Sequence, residues 1–305
     1  MRPCNVSSVL REFRTEPLLD VIRHLEAHAP TAIAVVDPDL GRGRYAGEVI
    51  EHEGERFTHR PFRTWVDLAE RLGLRLLTPR ATAAPWIELR FERLDPAARL
   101  RPRADDPTER YGAGSEFSRI AKAEDPSFVL DLRDALDRIR SPKRVLDLGV
   151  NTGDELGLLR DLGVTAELVG VDHSASALAL ARTRFPDATL IEADMNALPA
   201  LELGRFDLVI SLGTLQSPGI DDREVVRRIV QDHLSPDGAV ILGFPNARYV
   251  DGELEHGTRM KNFRQPELGH LMKDVAFYRK YLQQHGRRVF VTGKYELLIT
   301  GVAGG

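Results

Sequence analysis

Short apolar runs alternate with longer amphipathic segments through the second half of the chain. β-Prone apolar residues dominate the runs at 143–150, 166–172, 188–194, 206–217 and 238–246. Continuous apolar runs of this length are typical of strands that are buried on both faces, and the intervening segments are rich in good helix formers. The pattern therefore predicts successive βα units that form an open, mostly parallel sheet.

The C-terminal part of the chain predicts a helix followed by two strands. The helix is expected at 268–285, and strands are expected at 287–293 and 295–303. So short a connection between the strands favours an antiparallel pair at one end of the sheet. Ahead of the first strand of the sheet, residues 116–139 predict one or two helices.

The first part of the chain repeats the order of elements at the end of the second part. A helix at 17–30, a strand at 32–39, a helix at 64–79 and a strand at 86–94 resemble, in that order, the segments 223–236, 239–246, 277–292 and 295–303; residues 4–10 also echo 208–215. One shared order over several elements is less expected by chance than likeness between single elements.

A segment rich in Pro, Arg and Asp separates the two parts. It covers residues 95–107 and has the composition of a linker. We predict that residues 1–94 form a partial repeat of the second half of the later domain, and that residues 108–305 form that larger domain.

Composition narrows the function classes. Lys and Arg number 42 against 46 for Asp and Glu, so a basic surface for nucleic acid would have to be local. The single cysteine, Cys4, allows no internal disulfide and favours a reducing compartment. We see no signal peptide, no apolar run of membrane-spanning length and no metal-ligand spacing, so a soluble cytoplasmic protein without a metal is expected.

A glycine-rich turn follows the first strand of the sheet. The segment 147–153, DLGVNTG, ends this strand and opens a helix, which presents backbone N–H groups at the helix N-terminus. Glycine allows a close approach of the backbone to a ligand, and Asn151 tolerates positive φ better than most residues. Asp172 ends the second strand, where an acid suits the hydroxyls of a ribose. A turn of this kind alone is typical of phosphate, dinucleotide and nucleoside sites alike.

Taken together, these features resemble the class I S-adenosylmethionine-dependent methyltransferases. The resemblance covers about residues 111–302 and rests on Asp147, Gly149, Asn151 and Gly153 of the turn, on Asp172, on Asp194 with Met195, and on the segment 211–216. Asn151 replaces the middle glycine of the family's motif. A dinucleotide fingerprint fits less well, because Asp154 and Glu155 stand where its third glycine would be and would repel a pyrophosphate.

The resemblance implies a methyltransferase enzyme with S-adenosylmethionine as its cofactor. The implied fold is a Rossmann-like, doubly wound, mostly parallel seven-stranded sheet, preceded by the smaller α/β repeat. The cofactor-binding residues expected from it are Tyr111, Arg119, Asp147, Gly149, Asn151, Gly153, Asp172, His173, Asp194, Met195, Ser211 and Gly213. The repeat lacks these motifs, so it is expected to act as a structural cap, as half of a pseudo-dimer or as a platform for the substrate.

A long connection after the fifth strand concentrates basic and aromatic residues at the carboxyl edge of the sheet. Long loops in this position are usually functional, and we interpret this one as a lid over an anionic acceptor. The interpretation as an ordinary solvated face stays open. Candidate acceptor-binding residues are Thr214, Gln216, Arg248, Arg259, Lys261 and Asn262; candidate general bases are His256 and Tyr249.

Three functions fit these observations. The first is methyl transfer to an oxygen or nitrogen of a soluble, anionic acceptor. The segment 211–219 lacks the Asp/Asn-Pro-Pro-aromatic motif of many amino-methylating nucleic-acid enzymes, and no cysteine near it serves C5 methylation. An RNA methyltransferase and a non-catalytic S-adenosylmethionine-binding protein remain the alternatives. The expected partner is a small-molecule or RNA acceptor and not a membrane, and a homodimer is left open.

Overall fold

The computed structural model describes residues 10–93, 122–217, 219–246, 248–250, 253–255 and 268–304, with backbone alone for 248–250, 253–255 and 268–270. The chain divides into two compact units, which comprise 1–101 with 249–255, and 102–248 with 256–305. The predicted linker at 95–107 lies outside the described residues.

In its described residues, the first unit is a small α/β sheet with two α-helices and a short 3₁₀ helix at Pro38–Gly41. Its elements are β1 (Arg11–Phe13), α1 (Leu18–His28), β2 (Thr31–Val36), β3 (Val49–His52), β4 (Glu55–Thr58), α2 (Phe62–Leu72), β5 (Leu74–Leu76), β6 (Arg80–Ala81) and β7 (Trp86–Arg93). The main sheet has the order β1-β2-β7-β5, with β1 parallel to β2 and the other pairs antiparallel. Ile33, Leu89 and Trp65 of α2 belong to its core.

The helix predicted at 64–79 is wrong at its C-terminal end. Helix α2 ends at Leu72 because Gly73 adopts the left-handed conformation, with φ 65°. The apolar residues from Leu74 onward then form β5 and pair with β7. The hairpin of β3 and β4 is an element that the sequence patterns did not predict.

The elements of the second unit follow the predicted βα order. They are α3 (Pro126–Leu136), β8 (Arg144–Leu148), α4 (Asp154–Asp161), β9 (Glu167–Asp172), α5 (Ala175–Arg184), β10 (Thr189–Glu192), β11 (Phe206–Leu212), α6 (Asp222–Arg228), β12 (Leu234–Pro245), α7 (Leu268–Gln284), β15 (Arg287–Thr292) and β16 (Glu296–Ala303). Between β12 and α7 come the short strands β13 (Arg248–Val250) and β14 (Glu253–Glu255), and residues 249–255 of this segment belong to the first unit. A 3₁₀ helix at Lys122–Glu124 precedes α3, and another follows β10 at Met195–Leu201.

Strands of the second unit form a sheet with the order β10-β9-β8-β11-β12-β16-β15 among the described residues. The pairs from β10 to β12 are parallel, and β16 is antiparallel to β12 and to β15. The chain passes from β8 outward to β9 and then returns to β11 on the other side. In open α/β sheets, ligands bind at such a reversal, beside the carboxyl ends of the strands.

Alternating side chains of the central strands bury two separate cores. Leu146 and Leu148 of β8 pack with residues of α6 and α7, whereas Val145 packs with residues of α3, α4 and α5. Because successive strand residues point to opposite faces, these two cores place helices on both faces of the sheet. The predicted α/β Rossmann-like architecture is confirmed.

The two units share an order of elements. In the second unit, β11 is parallel to β12, and β16 and β15 follow in antiparallel pairs, which are the directions found in β1-β2-β7-β5. Helices α1 and α6 stand between the parallel strands in sequence, and α2 and α7 each precede the outer strand. A two-stranded hairpin follows β2 and also follows β12. The internal repeat remains a proposal, and residues 4–9 of its predicted first strand lie outside the described residues.

Candidate functional site

The turn after β8 has three consecutive odd-numbered residues in the left-handed conformation. The φ values are 89° at Gly149, 46° at Asn151 and 85° at Gly153, which is the N-cap of α4. Asn151 thus adopts the conformation for which Asn is better suited than most side chains. The turn is held by the Gly149 N–H, which donates to the Val171 carbonyl at 2.8 Å.

Gly149 and Gly153 are needed for packing as well as for the approach of a ligand, because neighbouring side chains leave no room for a Cβ atom at either position. A Cβ atom at position 149 would overlap the side chain of Thr214, and one at 153 would lie 2.7 Å from the ring of Phe185. Sequence reasoning assigned these glycines to ligand approach. The structure adds that Thr214, which follows β11, and Phe185, which follows α5, pack closely on the turn.

Asp172 fixes the turn to the end of β9. One carboxylate oxygen accepts the N–H of Asn151 at 2.9 Å, and the other accepts the N–H of Ser174 at 2.8 Å. The residue is 5% exposed. An ionised carboxylate has about four acceptor positions, so capacity for two ribose hydroxyls remains. His173 lies beside it, with Nδ1 3.6 Å from Asp172 Oδ1, and its side chain is about half exposed.

Asp147 is a buried carboxylate at the end of β8. Among the described residues, its Oδ2 atom has no hydrogen-bond partner. Burial raises the pKa of Asp147 well above its usual value; the charges of Glu155 and Asp172 raise it further, and Lys122 opposes them. A buried carboxylate oxygen without a hydrogen-bond partner is costly, and a cationic ligand group would offset that cost.

Glu155 and Lys122 extend this charged cluster. Glu155 lies in the first turn of α4, and burial raises its pKa while Lys122 lowers it. Lys122 Nζ donates to the Leu212 carbonyl at 3.1 Å and lies 3.5 Å from Oε1 of both Glu155 and Glu296. Burial lowers the pKa of Lys122, but Glu296 and Glu155 outweigh that effect and raise it overall.

Sequence reasoning missed Lys122 and Glu296. Glu296 begins β16, and because β16 is antiparallel its first residue lies at the carboxyl edge of the parallel strands, opposite Pro245. That signal was available once the final strands were recognised as an antiparallel pair. The sequence carries no such signal for Lys122, because this residue lies ahead of α3 and belongs to no motif with a defined spacing.

The third strand end is organised by Asp194. Its side chain caps the following 3₁₀ helix by accepting the N–H of Asn196 at 2.8 Å. The Asn196 side chain then bridges to the loop after β11, donating to Gly219 O and accepting from Asp221 N, both at 2.9 Å. Met195 is 5% exposed, and its side chain packs in the hydrophobic core, where it anchors the end of β10.

Residues at the end of β11 pack against the turn. Ser211 is fully buried and donates to the Leu148 carbonyl at 3.1 Å, which ties β11 to β8. Gly213 has φ 76°, and its N–H donates to Gly243 O at 2.9 Å. The side chain of Thr214 lies against Gly149, and Gln216 is buried. Thr214 is therefore brought to the turn, as its selection as a candidate requires.

Several predicted residues cannot be placed at the site. Tyr111, Arg119, His256, Arg259, Lys261 and Asn262 lie outside the described residues. Arg248 and Tyr249 are described as backbone of β13, without their side chains. Among the described residues, no group of His, Cys, Asp and Glu is arranged to hold a metal ion.

An open α/β sheet with a glycine turn at its reversal and acids at the ends of successive strands is an arrangement typical of nucleoside-binding domains of the Rossmann-like type. Residues 145–238 match the family described as "Methyltransferase domain". This match within the second unit supports the predicted resemblance to the class I S-adenosylmethionine-dependent methyltransferases.

Relatives with known names are similar over limited regions. Trans-aconitate 2-methyltransferase of Yersinia pestis (strain Pestoides F) is 45% identical over 58 residues, which are 19% of this chain and 22% of the relative. Demethylmenaquinone methyltransferase of Thermus thermophilus is 39% identical over 145 residues, covering 42% of this chain and 64% of the relative. The chain thus spans less than two thirds of the length of these relatives.

A solved structure, Streptomyces venezuelae DesVI, is similar with a TM-score of 0.42 and 20% identity, covering 62% of this chain and 96% of that one.

No helix in the described ranges combines the length and apolar character needed to cross a membrane.

Proposed function

We propose that this protein is a methyltransferase that transfers the methyl group of S-adenosylmethionine to an oxygen or nitrogen atom of a soluble, anionic acceptor. The observation that carries the cofactor side is Asp147, a buried carboxylate beside the glycine turn whose Oδ2 atom has no hydrogen-bond partner in the described part of the chain. S-adenosylmethionine has a positive sulfonium and an ammonium group, and either would offset that charge. It has no phosphate, so the acids near the start of α4 do not oppose it.

In this proposal, residues of the glycine turn and of the strand ends each bind a different part of the cofactor. Asp172 holds the ribose hydroxyls, Asp194 and Met195 define the adenine side, and Asp147 faces the methionine end. The cofactor supplies the reactive methyl group and its leaving group when it is bound. The chain's own contribution is to fix the cofactor through these acids and to orient the acceptor in line with the methyl group.

Support for an anionic acceptor comes from the long connection after β12 and from one relative. Trans-aconitate, named in that relative's activity, is an anion. Arg248, Arg259, Lys261 and Asn262 supply the charges and donors, and His256 or Tyr249 serves as the base if one is needed. Guanidinium groups suit carboxylates because they donate in pairs.

The first unit, in this proposal, is a partial repeat that contributes no cofactor site. Its described strands have the order β1-β2-β7-β5, which corresponds to the half of the methyltransferase sheet that lacks the glycine turn. The boundaries proposed are residues 1–94 for the repeat, 95–107 for the linker and 108–305 for the methyltransferase domain. A role as a cap or as half of a pseudo-dimer is consistent with this content.

Binding of S-adenosylmethionine tests the cofactor side of the proposal. Calorimetric titration of the full chain should show saturable binding, and chain that has been heat-unfolded serves as the control. Failure of the folded protein to bind S-adenosylmethionine at millimolar concentration would contradict the proposed function.

A double variant tests the acceptor side. Replacing Arg259 and Lys261 with Ala should leave cofactor affinity within about 0.5 kcal/mol, as for surface changes away from a contact. Methyl transfer to the acceptor should fall by about tenfold, because about 1.4 kcal/mol of transition-state stabilisation is lost. Normal transfer by the double variant would return this connection to the interpretation as a solvated face.

A further inference from the structure

One ammonium group holds two carboxylates together at the carboxyl edge of the second unit. Lys122 Nζ lies 3.5 Å from Glu155 Oε1 and 3.5 Å from Glu296 Oε1. It also donates to the carbonyl of Leu212, the last residue of β11, at 3.1 Å. The two acids come from the start of α4 and the start of β16, so the cluster joins distant parts of the sequence.

Glu296 lies directly over the ends of the central strands. A Cβ atom on Gly243 of β12 would be 2.8 Å from Glu296 Oε1, and one on Gly213 would be 3.7 Å away. The side chain of Glu296 is 13% exposed. The carboxylate therefore stands where the chain passes from β11 and β12 into the loops of the carboxyl edge, on the opposite side of the turn from Asp172.

The charges of the described residues in this region do not balance. Among these residues, Asp147, Glu155, Asp172 and Glu296 provide four carboxylates, and Lys122 provides one ammonium group against them. Asp147 responds to the charges of Glu155, Asp172 and Lys122, and Glu155 responds to those of Lys122 and Glu296. These groups thus act on one another as a single electrostatic cluster. An excess of buried negative charge stabilises a ligand that brings positive charge.

We propose that this cluster makes the site selective for the positively charged methyl donor over its neutral product. The inference rests on the proposed function. In methyl transfer, the bond from the sulfonium sulfur to the methyl carbon breaks and a bond from the acceptor atom to that carbon forms. The electron pair of the broken bond stays on sulfur, which becomes a neutral thioether, and the acceptor gives up its proton when it carried one. S-adenosylhomocysteine keeps the ammonium and carboxylate groups of the donor, so the sulfonium charge is the one difference in charge on which the cluster can act, and its loss should weaken binding of the product.

Three ligands separate charge from shape in the experiment. The full chain is titrated by calorimetry with S-adenosylmethionine, with S-adenosylhomocysteine, and with sinefungin, in which an ammonium group replaces the methylsulfonium. Both cationic ligands should bind at least tenfold more tightly than S-adenosylhomocysteine, and added salt should reduce the difference. Preference for S-adenosylmethionine alone, without sinefungin, would overturn the inference because charge would not be the cause.

Two variants should move the selectivity in opposite directions. Glu296→Gln removes one negative charge and should reduce the ratio of donor to product affinity by about threefold or more. Lys122→Met removes the compensating positive charge and should increase that ratio. Asp161→Asn, at the exposed C-terminal end of α4, makes the same charge change as Glu296→Gln on the opposite edge and should leave the ratio unchanged.

The ratio of donor affinity to product affinity is insensitive to a folding defect, because a smaller folded fraction affects both ligands equally. Equal affinities for donor and product in the unaltered chain, or an unchanged ratio in both Glu296→Gln and Lys122→Met, would overturn the inference. Absence of binding for all three ligands would instead overturn the proposed function.

Discussion

Individual carboxylates carry the proposed chemistry of the second unit, and Asp172 combines two tasks, because it accepts two backbone N–H groups and keeps acceptor capacity for a ligand. Asp172 was predicted because the last residue of a buried parallel strand must lie at the carboxyl edge. Asp147 was predicted from the family motif, but the unpartnered state of its Oδ2 atom depends on the neighbours that folding brings to it. Glu296 and Lys122 meet across 174 positions of sequence, and no local pattern specifies such a pair.

Replacing Asp172 with Ala should weaken S-adenosylmethionine binding by about 1.5–3 kcal/mol, the range for hydrogen bonds that involve a charged group. Part of the loss would come from the turn, since the N–H groups of Asn151 and Ser174 lose their acceptor. Calorimetry on the variant and on Asp161→Asn makes the comparison. Equal affinity in Asp172→Ala and the unaltered chain would rule out its role with the ribose.

Asp147→Asn should stabilise the free protein and weaken cofactor binding. The folded-state pKa of Asp147 is raised, so its stabilising contribution is full below the unfolded pKa and is lost as pH rises through the folded pKa. At neutral pH, the amide should therefore raise the free energy of unfolding, by about 1 kcal/mol or more for relief of an unpaired buried charge. Urea denaturation without cofactor tests this; a less stable variant contradicts it.

The same residue predicts a pH dependence of binding. As pH falls through the raised pKa of Asp147, the carboxylate becomes neutral and S-adenosylmethionine affinity should decline. Glu155, Asp172 and Lys122 face the same group, and Glu155, also with a raised pKa, should add to the decline. In Asp147→Asn, the affinity should be lower at neutral pH and its pH profile flatter. Parallel profiles in the two proteins would contradict this assignment.

Elements were predicted best where hydrophobic periodicity is long and worst where a single residue ends them. The parallel βα succession was read correctly from apolar runs such as that of β8. The helix predicted at 64–79 failed because its apolar pattern continues past Gly73 into β5, and only the left-handed backbone at Gly73 ends the helix. The glycine turn was located correctly, but the close contact of Thr214 with Gly149 could not be deduced without the packing of β11 on the turn.

That contact predicts a difference between two similar glycine substitutions. Gly149 and Gly163 have nearly equal φ values, 89° and 86°, but a Cβ atom would overlap Thr214 at 149 and meets nothing within 4 Å at 163. Both Ala variants should lose about 1–2 kcal/mol from the left-handed conformation. Gly149→Ala should lose more, because the turn must move, and should also bind S-adenosylmethionine less well. If urea denaturation shows that Gly149→Ala and Gly163→Ala lose the same free energy of unfolding, the close contact with Thr214 does not destabilise the fold, and the prediction is contradicted.

At the scale of the whole molecule, we expect the two units to differ in what they bind. The second unit has the glycine turn and the strand-end acids, whereas the first unit has the strand order of the other half of that fold. The repeat was proposed from the order of segments in the sequence, since likeness between single short elements would not have been informative. We expect a fragment of residues 1–100 to show no S-adenosylmethionine binding by calorimetry; saturable binding by that fragment would contradict the partial repeat.

Transfer of a labelled methyl group tests the central claim most directly. The full chain is incubated with methyl-labelled S-adenosylmethionine and separated fractions of a cell extract, with Asp172→Ala as the inactive control. The proposed function predicts label in the anionic small-molecule fraction with the unaltered chain and little with the variant. Label in RNA would support the alternative acceptor. If the protein binds S-adenosylmethionine but no fraction becomes labelled, the proposal of an enzyme is contradicted, and the alternative of a non-catalytic S-adenosylmethionine-binding protein is supported.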